Sequence, residues 1–151
     1  MQSFSSFVEH VYSEEKLYNL LISPIYEKHG LTFMEFTVIM FLANNPQYDT
    51  ATDLVKYRHL TKSHVSITLS SLEKKKLISR EYRPENHRTV HIKLSDKTNP
   101  IVIDGRNVQQ KFANMLIDGF TDNELKVLKS YLKRIHDNVD DSLEIQKSGT
   151  K

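Results

Sequence analysis

The stretch Thr61-Lys62-Ser63-His64-Val65-Ser66-Ile67-Thr68-Leu69-Ser70-Ser71-Leu72-Glu73-Lys74-Lys75-Lys76-Leu77-Ile78-Ser79-Arg80 decides the fold. Its first half has helical periodicity. Val65, Leu69 and Leu72 stand at i, i+4 and i+7, and Thr61 is placed to cap a helix from Lys62 to about Lys75. The opposite side presents Lys62, Ser63, Ser66, Ile67 and Ser70, with His64 at the N-terminal edge. From Leu77 the apolar period drops to that of a strand. Ile78–Arg83 and Arg88–Leu94 are separated by Pro84-Glu85-Asn86-His87, and Val90, Ile92 and Leu94 alternate with Thr89, His91 and Lys93, which predicts a two-stranded hairpin with one wet face. Just upstream, Thr50-Ala51-Thr52-Asp53 has the spacing of a capping box and opens a short helix to about Arg58, with Leu54 and Val55 as its apolar face. Two short helices joined by a turn, the second with small polar side chains outward and a hairpin after it, form a helix-turn-helix followed by a wing.

The flanks are helical. Thr32-Phe33-Met34-Glu35 is a second capping-box spacing, and the helix it opens, Phe33–Ala43, is so apolar that burial on most sides is expected. Asn44-Asn45-Pro46 ends it. Before it, Ser3–His29 carries Phe4, Phe7, Val8, Val11, Tyr12, Leu17, Leu20, Leu21 and Ile25 at helical spacings; Pro24 should kink or locally unwind this helix, and His29-Gly30 stops it. After the hairpin, Asn99-Pro100 starts a segment running to Phe120, weakly interrupted by Gly105. Thr121-Asp122-Asn123-Glu124 then launches Leu125, Leu128, Leu132, Ile135 and Val139 in heptad steps, and Gly149–Lys151 has the composition of a disordered tail. The expected fold class is mainly α with a small β-hairpin wing (α+β): a single domain, 1–151, with a winged helix-turn-helix lobe at about 31–99 and a helical dimerisation lobe at about 1–30 and 100–145.

Charge is distributed unevenly. Residues 1–55 hold two basic and seven acidic side chains (net −5), residues 56–93 ten and three (net +7), and residues 94–151 nine and nine, which together give the formal +2. A concentrated basic block over the helix-turn-helix and hairpin suggests a polyanionic partner. Cysteine is absent, which excludes disulfides, thiolate metal sites and thiol chemistry. No stretch approaches the ~20 apolar residues that span a bilayer, and the N-terminus lacks a basic segment followed by an apolar one, so a cytoplasmic protein with no membrane partner is expected. There is no Gly-rich phosphate loop, nucleophile elbow or matched carboxylate pair, so no enzyme is expected. His87 and His91 share a side of the hairpin without a suitable further ligand, so neither a metal site nor a cofactor is expected.

Reading base edges requires donors and acceptors on a helix that fits the major groove. Lys62, Ser63, His64, Ser66 and Ser70 meet that requirement, and Ile67 has the size to touch a thymine methyl. Arg80, Arg83, His87 and Arg88 cluster on or beside the hairpin, where phosphates and the minor groove draw arginine. Lys74, Lys75 and Lys76 suit phosphate or, equally, the C-terminus of a helix. The stripes Phe4, Phe7, Val11 and Leu125, Leu128, Leu132, Ile135 are too long to be buried within one small lobe and mark an association surface.

The order of elements resembles the MarR family of bacterial winged-helix regulators over about residues 5–142. The stretches that carry the likeness are Gly30-Leu31-Thr32, Leu72-Glu73-Lys74-Lys75-Lys76-Leu77-Ile78-Ser79-Arg80, Arg88, and Phe120-Thr121-Asp122-Asn123-Glu124-Leu125. The resemblance implies a homodimer on a pseudo-palindromic double-stranded DNA operator, usually as a repressor. It also implies release by a small, often anionic or aromatic, effector, for which Tyr26, His29, Phe33 and Phe36 are the candidate lining residues. The family's wing usually carries two Asp that brace its arginines; here those places hold Arg83 and Asn86, so a more mobile and more cationic wing is expected. The Gly that usually precedes the Leu-Ile is Lys76, and an Arg often found in the recognition helix falls at Ile67. The competing readings are a winged-helix module for protein partners and a metal-responsive regulator.

Overall fold

The computed structural model describes residues 4–58 and 60–148, with side chains over 11–145 apart from 59 and 87. Its elements are α1 (Phe4–Lys28), α2 (Phe33–Asn44), α3 (Ala51–Arg58), α4 (Lys62–Lys74), β1 (Ile78–Arg83), β2 (Asn86–Leu94), a short 3-10 turn (Asp96–Thr98), α5 (Asn99–Leu116) and α6 (Asp122–Ser148). The chain divides into two compact units, one ending at Phe112 and one beginning at Ala113, so that the last turn of α5 and all of α6 fall in the second.

The core of the first unit is built around α2. Phe36, Val38, Ile39, Met40, Phe41 and Leu42 are all buried, meeting Ile22 of α1, Leu54 of α3, Val65, Leu69 and Leu72 of α4, Ile92 of β2, and Ile101 and Val108 of α5. Each such side chain contributes about 1.5–3 kcal/mol on leaving water. Helix α2 therefore needs no wet face, and its all-round apolar sequence follows from its central position. Gly105 on α5 permits the close approach to α2. A Cβ there would overlap Sδ of Met40 and fall 3.2 Å from Cζ of Phe36, so the residue that interrupts the α5 pattern is its packing contact.

Helix α1 remains continuous through Pro24. The proline removes the amide that would donate to the Leu20 carbonyl, and the Ser23 hydroxyl donates to that carbonyl instead, at 3.4 Å. The expected unwinding does not occur. Further along the chain, α4 closes with Lys76 in the left-handed region (φ 57°), while the Leu77 amide donates to the Leu72 carbonyl at 3.0 Å. This is the helix stop that glycine usually serves, held here by a residue with a Cβ at a cost of about 1 kcal/mol.

The hairpin turns at Pro84-Glu85, and β2 begins at Asn86 rather than Arg88. Tyr82 faces Val90 while Arg83 faces Asn86, so His87, Arg88 and Thr89 bulge from the ladder. The Asn86 side chain closes the bulge: its Oδ1 accepts the Arg88 amide at 2.9 Å and its Nδ2 donates to Thr89 Oγ1 at 3.0 Å.

One buried carboxylate joins three segments. Glu35 completes the capping box of α2, with its own amide on Thr32 Oγ1 (3.2 Å) and its Oε2 accepting the Thr32 amide (2.8 Å). The same carboxylate reaches α4, accepting Ser71 Oγ (2.7 Å) and Lys75 Nζ (2.8 Å), and Lys75 also donates to the Gly30 carbonyl at 2.9 Å. Burial pushes the Glu35 carboxyl up, but the hydrogen bonds from Lys75, the Thr32 amide and Ser71, with the Lys75 charge, hold it below the ordinary glutamate range. Because the folded pKa is the lower one, this stabilisation is complete above the ordinary carboxylate range and is lost as pH falls through the folded value. Glu35→Gln should therefore cost about 2 kcal/mol at neutral pH, the scale of hydrogen bonds to a charged group, and the difference from wild type should shrink on acidification. Urea unfolding at several pH values measures it, and a pH-independent difference would contradict the assignment.

Candidate nucleic-acid interface

The capping threonine of α4 sets the orientation of its first turn. Thr61 Oγ1 accepts the His64 amide at 3.2 Å and lies 3.1 Å from Ser63 Oγ. From that start Val65, Thr68, Leu69 and Leu72 turn inward and are buried, while Lys62, Ser63, His64, Ser66, Ile67 and Ser70 are exposed. The structure thus brings every α4 residue proposed for base or phosphate contact onto accessible surface of one short helix. Thr68 does not join them: it is buried, and its hydroxyl donates to the His64 carbonyl at 2.8 Å.

The wing cations occupy three different settings. Arg80 Nε lies 3.2 Å from Glu73 Oε2 at the end of α4, which ties the first strand to α4. Arg83 Nη2 lies 2.9 Å from Asp49 Oδ2. Arg88 sits exposed on the bulge, and among the described residues its guanidinium has no acidic partner. The side chain of His87 lies outside the described residues. Lys75, grouped with Lys74 and Lys76 as a phosphate candidate, is held by Glu35 and Gly30.

Asp49 is the residue that sequence reasoning missed. It lies in the loop between α2 and α3 and holds the wing with both carboxylate oxygens, Oδ1 on His91 Nδ1 (2.7 Å) and Oδ2 on Arg83. The backbone adds to this hold. The Ile92 amide donates to the Asp49 carbonyl at 2.7 Å, and Thr50 bridges His91 in antiparallel fashion. Nothing local marks Asp49, because its partners are 34 and 42 residues away in sequence. The expected loss of acidic bracing is therefore corrected at Arg83: the brace comes from outside the hairpin, and among the described residues Arg88 is left without one.

Two of the four candidate effector residues share a cavity among the described residues. Phe33 and Phe36 line a cavity of about 270 Å³ with Tyr18, Met40, Arg58 and Gln109. Tyr26 lies outside that lining, its ring 6.3 Å from those of Phe33 and Phe36, and Phe36 itself is fully buried. His29 Nε2 is 2.8 Å from Asp104 Oδ2, which Lys28 Nζ also reaches at 2.7 Å; these two partners hold the Asp104 carboxyl below the ordinary aspartate range. Of the association stripes, Val11 is exposed, Leu125 and Leu128 are half-buried, and Leu132 and Ile135 are exposed; the side chains of Phe4 and Phe7 lie outside the described residues. Among the described residues no group of three or more His, Asp or Glu side chains converges as metal ligands would.

Helix-turn-helix, bulged wing and basic face together lead to a comparison with known proteins. Residues 29–89 match the model of the MarR family. That match spans the winged-helix lobe. Around it, the chain is similar to three solved MarR-type structures. The MepR–DNA complex from S. aureus is 19% identical, with 91% of this chain and 96% of that one covered and a TM-score of 0.71. A putative MarR family transcriptional regulator from Listeria monocytogenes complexed with 26mer DNA is 18% identical, with 100% and 98% covered and a TM-score of 0.75. A MarR protein from Peptoclostridium difficile is 18% identical, with 93% and 92% covered and a TM-score of 0.75. At these identities the likeness establishes the MarR-type fold. In this chain the Asp49 carboxylate holds the wing through Arg83 and His91. Asp49→Ala keeps the backbone carbonyl on Ile92 and removes the carboxylate, so amide exchange around His91 should speed up about tenfold, the worth of a lost charge-assisted hydrogen bond, with α2 unaffected. Unchanged exchange in β2 would show that the carboxylate does not hold the wing.

Proposed function

We propose that the chain is a sequence-specific DNA-binding transcription regulator, acting as a homodimer on a pseudo-palindromic duplex. One observation carries this reading: the basic block of residues 56–93 folds into the end of α3, α4 and the wing, with the polar face of α4 exposed and Arg88 exposed on the bulge of the wing. A helix of that face suits the major groove, and an unneutralised arginine on a wing suits phosphate or the minor groove. The MarR-type DNA complexes support the same assignment by likeness. Leu132, Ile135, Val139 and Leu143 leave an apolar stripe along α6 exposed in the single chain, as a helix that pairs with a second copy would. Two-fold pairing places the half-sites about one helical turn, ~10 base pairs, apart.

Repression with relief by a small molecule is the mode we infer. The cavity at Phe33 and Phe36 supports it, because aromatic walls beside Arg58 fit an aromatic anion. The reading assigns no catalytic step to the chain, and a DNA partner implies a cytoplasmic location; no described helix is long and apolar enough to cross a membrane.

Duplex binding measured against salt tests the assignment. Log affinity should fall linearly with log salt at roughly −0.9 per phosphate neutralised. Arg88→Ala should weaken operator and random duplex alike and make the slope shallower by about one for each bound subunit. Absence of duplex binding even in dilute buffer would refute the function, and an unchanged slope in Arg88→Ala would refute the role of the wing.

A further inference from the structure

Over Lys62–Ser70 the exposed side chains of α4 are Lys62, Ser63, His64, Ser66, Ile67 and Ser70, polar or charged except at one position. Ile67 is 69% exposed. It lies roughly 200° around the helix from the buried Val65, with Ser63 one turn before it, Ser70 about one turn after it and Ser66 alongside. A β-branched apolar side chain here lowers helix propensity and leaves hydrocarbon in water, so folding alone gives no reason for it. An isolated apolar residue elsewhere on the surface would need no partner. This one stands at the centre of the face assigned to reading base edges, and its serine neighbours are too short to keep a base from reaching it.

Resting on the DNA-binding reading above, we propose that Ile67 reads the C5-methyl group of a thymine in each half-site. Among the four bases the major-groove edges offer donors, acceptors and one apolar group, the thymine methyl. Against guanine, adenine or cytosine Ile67 would take a polar edge out of water and offer nothing in exchange. Against thymine it removes two hydrocarbon surfaces from water together. The stiffness of a β-branched side chain at χ1 keeps its methyl groups in one place, so little rotamer freedom is lost on contact. Serine hydroxyls can bond to more than one base, whereas this contact discriminates sharply at a single base pair.

Deoxyuridine differs from thymidine only by that methyl group, which gives a direct test. A duplex enriched from a random pool by the wild-type protein is remade with each thymine in turn replaced by deoxyuridine, and both wild type and Ile67→Ala are titrated against the series. One thymine per half-site should matter to the wild type, its replacement weakening binding about fourfold, the worth of one methyl group kept from water. Ile67→Ala should bind the parent and that substituted duplex equally, and Ile67→Val should retain most of the discrimination. A wild type indifferent to every replacement, or an Ile67→Ala protein that still discriminates, would overturn the inference while leaving DNA binding intact. Failure of the pool to yield any bound duplex would overturn the DNA-binding reading, and this inference with it.

Discussion

The Glu35 carboxylate is where the geometry of the winged-helix lobe is fixed. Hydrophobic burial brings α2 and α4 together but is not directional; many rotations of α4 about its own axis would bury comparable area. Hydrogen bonds select among them. Glu35 accepts from Ser71 and Lys75 on α4 and from Thr32 at its own helix start, while Lys75 reaches on to the Gly30 carbonyl. It is the one charged side chain buried among the described residues, and it is fully partnered. A one-residue rotation of α4 would break both links to that helix and carry Ser63, Ser66, Ile67 and Ser70 off the surface they now share.

A second carboxylate does for the wing what Glu35 does for the helix. Asp49 holds Arg83 and His91, and its carbonyl takes the Ile92 amide, so the loop between α2 and α3 serves as a partial third strand. Through the two brackets, α4 and the hairpin are both referred to α2 and the loop that follows it. The charge pattern that results has a functional consequence. Arg80 and Arg83 are paired with Glu73 and Asp49 and tie the hairpin down, while Arg88, on a bulge stitched by Asn86, is the wing arginine without an acidic partner among the described residues, which is why the proposed DNA contact falls to it.

Elements defined by short-range rules were legible in the sequence. The capping boxes at Thr32–Glu35 and Thr50–Asp53 and the i, i+4, i+7 stripe of α4 placed helix starts and the buried face correctly, because each is decided within a turn or two of chain. What escaped was long-range or compensatory. Gly105 read as a weak point in α5, because the Met40 side chain that requires it lies on another helix. Pro24 read as a kink or local unwinding, because the hydroxyl of Ser23 was not foreseen on the Leu20 carbonyl. Lys75 read as one of three equivalent lysines, and only the fold distinguishes the one that meets a buried acid. Asp49 carried no signal at all.

The central claim is that the serine and isoleucine face of α4 lies in the major groove, twice, about a two-fold axis. Because the chain has no cysteine, Ser66→Cys creates a unique attachment point for a tethered iron chelate that cuts nearby deoxyribose. Bound to its duplex, the labelled protein should cut in two clusters related by a dyad and about one helical turn, ~10 base pairs, apart. Retention of the duplex with no cutting, or with cuts scattered along it without symmetry, would contradict the account.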